Sequence, residues 1–215
     1  MSSIRTEERT CSICKTSNQF KVLRAASSHE IDLDTRPYGN LRPTIDTWIQ
    51  SCPVCGYCAP DISIELDQAN PIITQATYLE QLQNNNYPEL ANHFLCWAII
   101  QEEIEHYVEA GWGSIHAAWV CDDVEREDSA KACRLLTLQR FQKARNKKLP
   151  FAQEKNAEEL ILADLYRRTR QFKLTKDICL QVINQNPDTR LKQIAEFQIV
   201  LAASFNDECH KWVGG

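Results

Sequence analysis

Two short cysteine turns constrain this chain more than any other feature: Cys11-Ser12-Ile13-Cys14 and Cys52-Pro53-Val54-Cys55-Gly56. Two residues between the sulfurs let a tight turn aim both at one centre while its backbone amides stabilise the thiolate charge. Two such turns complete the closed tetrahedral shell of a structural zinc ion, with no position left for water or substrate. Gly56 suits the backbone conformation that closes such a turn. The spacing therefore assigns Cys11, Cys14, Cys52 and Cys55 as zinc ligands. Two short β-type runs, Phe20–Arg24 and Thr44–Ile49, each abut a cysteine pair. They predict the strands of a small zinc ribbon carrying its metal turns at strand ends.

Other cysteine chemistries compete for the same residues. A lone Cys-Pro-x-Cys is the active turn of thiol-disulfide enzymes, but there a helix follows. Here Gly56-Tyr57-Cys58-Ala59-Pro60 follows, and Pro60 opposes a helix. Cys52, Cys55 and Cys58 also form the start of an iron–sulfur run, whose fourth cysteine position is held by Ile62. Cys11 or Cys14 would have to supply that ligand, and the alternative stays open. Cys58 itself reads as a small apolar core residue, an alternative ligand, or a reactive thiol beside the metal turn. Cys96, Cys121, Cys133, Cys179 and Cys209 stand among apolar residues in helical text and read as core filler.

The chain changes character near residue 70. Before it, turn residues dominate and helical periodicity is absent. After it, starts and stops mark about seven helices. Asn70-Pro71 opens one toward Gln83, and Pro88 opens a longer one toward Ala110 with Gly111 as its stop. Ser114 caps a short helix to Val124, and Asp128 or Ser129 starts another that ends at Arg145-Asn146-Lys147-Lys148. Pro150, Asn186-Pro187 and Gly214-Gly215 punctuate three more. This divides the chain into a ribbon-like module over residues 1–69 and a helical domain over 70–215, a mainly α protein.

Residues 156–187 fit the roughly 34-residue helical hairpin of tetratricopeptide type. Leu162, Ala163, Tyr166, Cys179 and Val182 fall at its apolar positions, and Thr175 occupies a position usually held by alanine. Residues 114–147 read as a similar helical pair, and the helix after Pro187 as the cap that a repeat stack needs.

Charge and motif content narrow the function classes. The formal net charge is -5, and four thiolates holding one divalent ion make it more negative, so a broad basic field for nucleic acid is lacking. A nucleic-acid-associated ribbon is accordingly the weaker alternative. The start of the chain is polar and lacks the apolar stretch of a secretory signal. The longest apolar run, between His93 and Gln101, is too short to span a membrane. A reducing cytoplasm is the expectation. Glu103-x-x-His106 resembles half of a di-iron motif, but its second copy is missing, and a solvated helix face is the better account. His93 and His116 read as core or boundary histidines, and Trp48 as a cover for the metal turn. A glycine-rich phosphate loop is also lacking, and no residue set assigns an enzyme.

The first sixty residues resemble a bacterial family known as domain of unknown function 2225. The matching text is Cys11-Ser12-Ile13-Cys14, Phe20–Arg24, Asp32-Leu33-Asp34, Pro37-Tyr38, Pro43 and Trp48-Ile49-Gln50-Ser51-Cys52-Pro53-Val54-Cys55-Gly56-Tyr57. The resemblance implies an N-terminal zinc-ribbon-like part followed by tetratricopeptide-like helices, with Cys11, Cys14, Cys52 and Cys55 at the metal-ligand positions. It implies no reaction. The function expected is therefore that of a non-enzymatic zinc-binding scaffold for a protein or peptide partner. The alternative is a thiol-based redox or metal sensor using Cys58.

Overall fold

The structure, a computed structural model, describes residues 3–26 and 30–212. The expected stop at Gly214-Gly215 lies outside the described residues. The fold is mainly α, with small antiparallel sheets near the N-terminus followed by eight α-helices among the described residues. The chain forms two compact units, residues 1–27 with 39–140 and residues 28–38 with 141–215.

In the first unit, β1 (Ser3–Thr10) pairs antiparallel with β2 (Ser17–Ala25), Glu7 opposite Phe20 and Thr10 opposite Ser17. The expected strand at Phe20–Arg24 lies within β2. The one expected at Thr44–Ile49 does not form. A 3-10 helix runs over Gly39–Thr47 instead. Its threonines supply the reason. The Thr44 hydroxyl donates back to the Leu41 carbonyl at 2.8 Å and the Thr47 hydroxyl to the Thr44 carbonyl at 2.7 Å, local bonds that compete with a strand ladder. A two-residue ladder follows, β3 (Gln50–Ser51) against β4 (Cys58–Ala59).

The helices of this unit are α1 (Ala69–Ile73), α2 (Ala76–Leu82), α3 (Glu89–Glu103), α4 (Tyr107–Asp123) and the start of α5 (Glu127–Asn146). Two expected boundaries move. The helix expected from Asn70-Pro71 toward Gln83 breaks at Thr74 and Gln75. The helix expected from Pro88 to Ala110 ends at Glu103, while Gly111 and Ser114 lie inside α4. The stop is made by Glu105, whose φ of 61° is left-handed, and the His106 amide then donates to the Gln101 carbonyl at 2.8 Å.

The same closure recurs with Glu125, Lys148, Arg170 and Phe205 at φ 57°, 59°, 64° and 56°. The next residue's amide reaches back to Cys121, Ala144, Tyr166 and Leu201 respectively. Glycine, the usual signal for this stop, is used otherwise. A Cβ on Gly113 would lie 3.1 Å from Ala98 Cβ and 3.2 Å from the Phe94 carbonyl oxygen, so glycine there lets α4 approach α3 closely.

Buried ion pairs fasten α5. Arg134, 1% exposed, grips Asp122 through two bonds of 3.1 and 2.5 Å. Arg140 donates to Glu102 at 2.9 Å and to the Ser114 hydroxyl.

In the second unit α6 (Ala157–Arg168), α7 (Phe172–Asn184) and α8 (Thr189–Ala203) pack on one another. Their core contains Leu160, Ala163, Cys179, Val182, Leu191 and Ala195, and Leu33 from the 30–38 segment joins it. Asp188 caps α8 by accepting from the Leu191 amide at 3.0 Å. A bridge between Asp32 and Lys211 ties residues 30–38 to the end of the chain. Arg167, fully buried, binds Asp164 at 2.6 Å and donates to the carbonyls of Asn206 and Glu208 at 2.9 and 2.8 Å. No helix among the described residues is long and apolar enough to cross a membrane.

Burial pushes the Asp164 carboxyl up and the Arg167 charge pulls it back. Arg167→Leu therefore leaves an uncompensated carboxylate in the core. It is expected to destabilise the second unit by about 3–5 kcal/mol, read as a shift in urea unfolding followed by helical circular dichroism.

Candidate metal centre

Each cysteine turn is built by the same backbone device. In the first, which closes the β1–β2 hairpin, the Cys11 amide donates to the Thr16 carbonyl at 3.0 Å. The Cys11 carbonyl accepts from the Lys15 amide at 2.9 Å. In the second, between β3 and β4, the Cys52 amide donates to the Tyr57 carbonyl at 2.9 Å and the Cys52 carbonyl accepts from the Gly56 amide at 2.9 Å. The fourth residue after the leading cysteine is left-handed in both turns, Lys15 at φ 60° and Gly56 at φ 74°. Glycine announces this conformation in the sequence; lysine does not. Lys15 secures its turn with a 2.6 Å bond from Nζ to the Ser12 carbonyl.

The two turns are then tied together. The Ser12 amide donates to the Ile62 carbonyl at 2.8 Å and the Ser12 hydroxyl to the Ile64 carbonyl at 3.1 Å. The Ile62 amide donates to the Gln50 side chain at 3.1 Å. These bonds fix the first turn against the chain leaving the second, and the sulfurs converge as a result.

The ligand atoms of Cys11, Cys14, Cys52 and Cys55 all lie within 4.8 Å of one another. Cys11 and Cys55 sulfurs are 3.7 Å apart, and those of Cys14 and Cys52 are 3.5 Å apart. A regular tetrahedron with metal–sulfur bonds of about 2.3 Å has edges of about 3.8 Å, so the four sulfurs fit a single ion of zinc's size. Cys11 and Cys52 are buried, while Cys14 and Cys55 are partly exposed. The Thr16 side chain holds the Cys14 thiol down at about 6. Burial pushes the thiols of Cys11 and Cys55 up.

Cys58 lies outside this quartet and is fully buried. Its thiol donates to the Gly56 carbonyl at 3.4 Å, and the influence of Cys58 together with burial pushes the Cys96 thiol far above its ordinary range. The exposure that a reactive thiol needs is absent at Cys58. Cys121 and Cys133 are buried too, and the influence of Cys121 together with burial pushes the Cys133 thiol up. Cys179 is buried in the helical core of the second unit. Cys209 departs from the expectation of core filler, since the residue is exposed and its thiol donates to Asp32 at 3.0 Å.

Other sequence candidates separate from the centre. Glu103 ends α3 and His106 precedes α4, so the pair spans a helix break rather than one helical face. His106 instead contacts the Gln101 side chain at 3.1 Å. His116 sits among aromatic rings, 4.8 Å from Trp119 and 5.3 Å from both Trp48 and Phe94. Trp48, expected to cover the metal turn, stands edge-on to His116 and Trp119, with its indole N–H on the Thr44 hydroxyl. Leu82 covers the second turn instead, since a Cβ on Gly56 would meet it at 2.6 Å. Comparison with protein-family models, with curated proteins and with solved structures gives no match.

Gly56→Ala combines a left-handed φ with that clash. A cost of about 1–3 kcal/mol is expected, seen as weaker metal retention in competition with a chromogenic chelator. The raised thiols set the sign of the pH dependence. In the metal-free fold Cys11 and Cys55 keep their protons at neutral pH, and metal loading must release them. Affinity is therefore expected to rise between about pH 6 and pH 8 with proton release, measurable by calorimetry in buffers of different ionisation heat.

Proposed function

We propose that this chain is a non-enzymatic zinc protein of the cytoplasm. In this reading a zinc ribbon stabilises the first unit, and tetratricopeptide-like helices in the second offer a surface to a protein or peptide partner. The observation that carries the reading is the convergence of four cysteine sulfurs to within 4.8 Å from two turns far apart in sequence. A metal held by all four has a filled tetrahedral shell, which suits holding a fold rather than activating water. The quartet excludes Cys58, which favours one ion over a cluster that would recruit it.

Two features support the scaffold part. Thr175, at the position usually held by alanine in a helical-hairpin repeat, donates to the Ala163 carbonyl at 3.0 Å, so the hydroxyl is accommodated inside the α6–α7 contact. Leu174, Leu180, Val200 and Phe205 are exposed apolar side chains on or just beyond α7 and α8. The likeness of the first sixty residues to the domain of unknown function 2225 family fits the same plan.

Chelation separates the metal claim from general stability, because metal binding and folding are linked. Removing the metal, or substituting Cys52→Ser, is expected to raise amide exchange over residues 3–26 and 50–62 while residues 157–203 stay protected. Unchanged protection around the cysteines would refute the metal reading. A photo-crosslinker placed at Leu180 or Val200 tests the scaffold claim in cells. One discrete protein adduct is expected, and its absence at both sites would remove that claim.

A further inference from the structure

From Pro43 to Glu125 the chain carries thirteen aspartates and glutamates and neither a lysine nor an arginine. The net charge is only -5, so the cations gather on the two sides of this stretch. Three large apolar side chains are left in solvent around its cysteine turn: Val54 at 64% exposure, Ile64 at 66%, and Leu79 on α2 at 43%. Each is tied to the cysteine quartet through its backbone or its neighbour. The Ile64 carbonyl accepts from the Ser12 hydroxyl at 3.1 Å, beside Cys11. The Cys11 sulfur lies 3.7 Å from that of Cys55, beside Val54. Tyr78, next to Leu79, donates from its hydroxyl to the Gly56 carbonyl at 2.8 Å. Carboxylates are interspersed with these apolar residues. Glu65, Asp67 and Glu80 are exposed and form no ion pair among the described residues. Asp61 accepts from the Ser63 hydroxyl at 2.6 Å and lies 3.7 Å from Arg9. Lys15, the cation of the first cysteine turn, is bound to the Ser12 carbonyl at 2.6 Å.

We propose that this acidic surface beside the cysteine quartet docks a cationic segment of another protein. Apolar side chains of that segment meet Val54, Ile64 and Leu79, and its lysines or arginines meet Glu65, Asp67 and Glu80. Exposed apolar groups rimmed by polar ones mark protein contact sites, and unpaired charge of one sign selects a partner of the other. The carboxylates do not converge on a metal-sized point as the four sulfurs do, so the complement is a polypeptide rather than an ion. Nucleic acid and anionic lipid are repelled by the same charge. The chain's own basic tract, Arg145 to Lys148, is a poorer occupant, since Arg145 is already paired with Glu159 at 3.1 Å. A divalent ion held by four thiolates leaves a net negative charge, so metal loading reinforces the attraction. This surface is distinct from the one on α7 and α8, because it lies on the first unit.

The test is fluorescence anisotropy of the full chain with two labelled peptides of equal length, one alternating lysine with leucine and the other glutamate with leucine. The lysine peptide is expected to bind, more weakly as salt is raised, and the glutamate peptide not to bind. Combining Glu65→Gln, Asp67→Asn and Glu80→Gln is expected to weaken the lysine peptide by about tenfold, and Val54→Ser with Ile64→Ser by a similar factor. Glu103→Gln with Glu109→Gln, acids of α3 and α4, should leave binding unchanged. Equal loss in both carboxylate variants would reduce the effect to general charge attraction and overturn the proposal. So would binding that survives neutralisation of Glu65, Asp67 and Glu80, or no binding of the lysine peptide at low salt. Self-association that the same neutralisation abolishes would assign the surface to a second copy instead, and overturn it likewise. The two peptides on the wild-type chain decide the matter even where a variant fails to fold. Metal content is measured on the same sample: a chain that holds zinc and ignores the lysine peptide sinks this proposal alone, and one that binds it without metal sinks only the metal reading.

Discussion

The non-helical part of the first unit is organised around four sulfurs brought to one point. β3 and β4 are two residues each, and the β1–β2 hairpin is largely exposed on both faces. Hairpins of this size are marginal in water without a further constraint. Four sulfurs within 4.8 Å of one another cannot all become thiolates without a cation between them, because the like charges repel. A single divalent ion held by the four would resolve both problems. It would neutralise part of the charge and close the loop between residues 14 and 52, giving the backbone bonds around Cys11 and Cys52 a fixed centre.

The rest of the unit is built outward from that centre. Cys11 and Cys52 belong to the same buried cluster as Tyr57, Ile62, Ile72 and Tyr78, so metal site and hydrophobic core are one body. Tyr78 on α2 bonds Gly56 and the Cys58 amide, which carries the geometry of the second turn into the helices. The arginines do similar work elsewhere. Arg134, Arg140 and Arg167 are nearly inaccessible, and each is paired with a carboxylate and, for Arg167, with two backbone carbonyls as well. Removing one partner of such a pair is costly because the other stays buried and charged.

The clustering of Cys11, Cys14, Cys52 and Cys55 and the mainly α plan were legible in the sequence because both rest on short-range signals: the two-residue spacing within each cysteine turn and the helical periodicity after residue 70. What was not legible depended on residues that act against type. Thr44 and Thr47 look like strand residues but bond back to their own backbone. Lys15 adopts the left-handed turn position that glycine would have advertised, and Glu105 through Phe205 end helices in the same way. Gly113, which reads as a breaker, instead serves close helix packing. β1 gave no signal because its residues are mostly polar on both faces. The sequence carried no signal for the buried Arg134 and Arg140, since their carboxylate partners, Asp122 and Glu102, are set by tertiary contact rather than by helical spacing.

The most direct measurement of the central claim is X-ray absorption at the metal edge of the purified chain, with metal content determined on the same sample. The account predicts one zinc ion per chain surrounded by four sulfur atoms at about 2.3 Å, with no lighter scatterer in the shell. Nitrogen or oxygen in the first shell, an iron edge with iron–iron scattering, or a fully reduced protein that takes up no metal would contradict it.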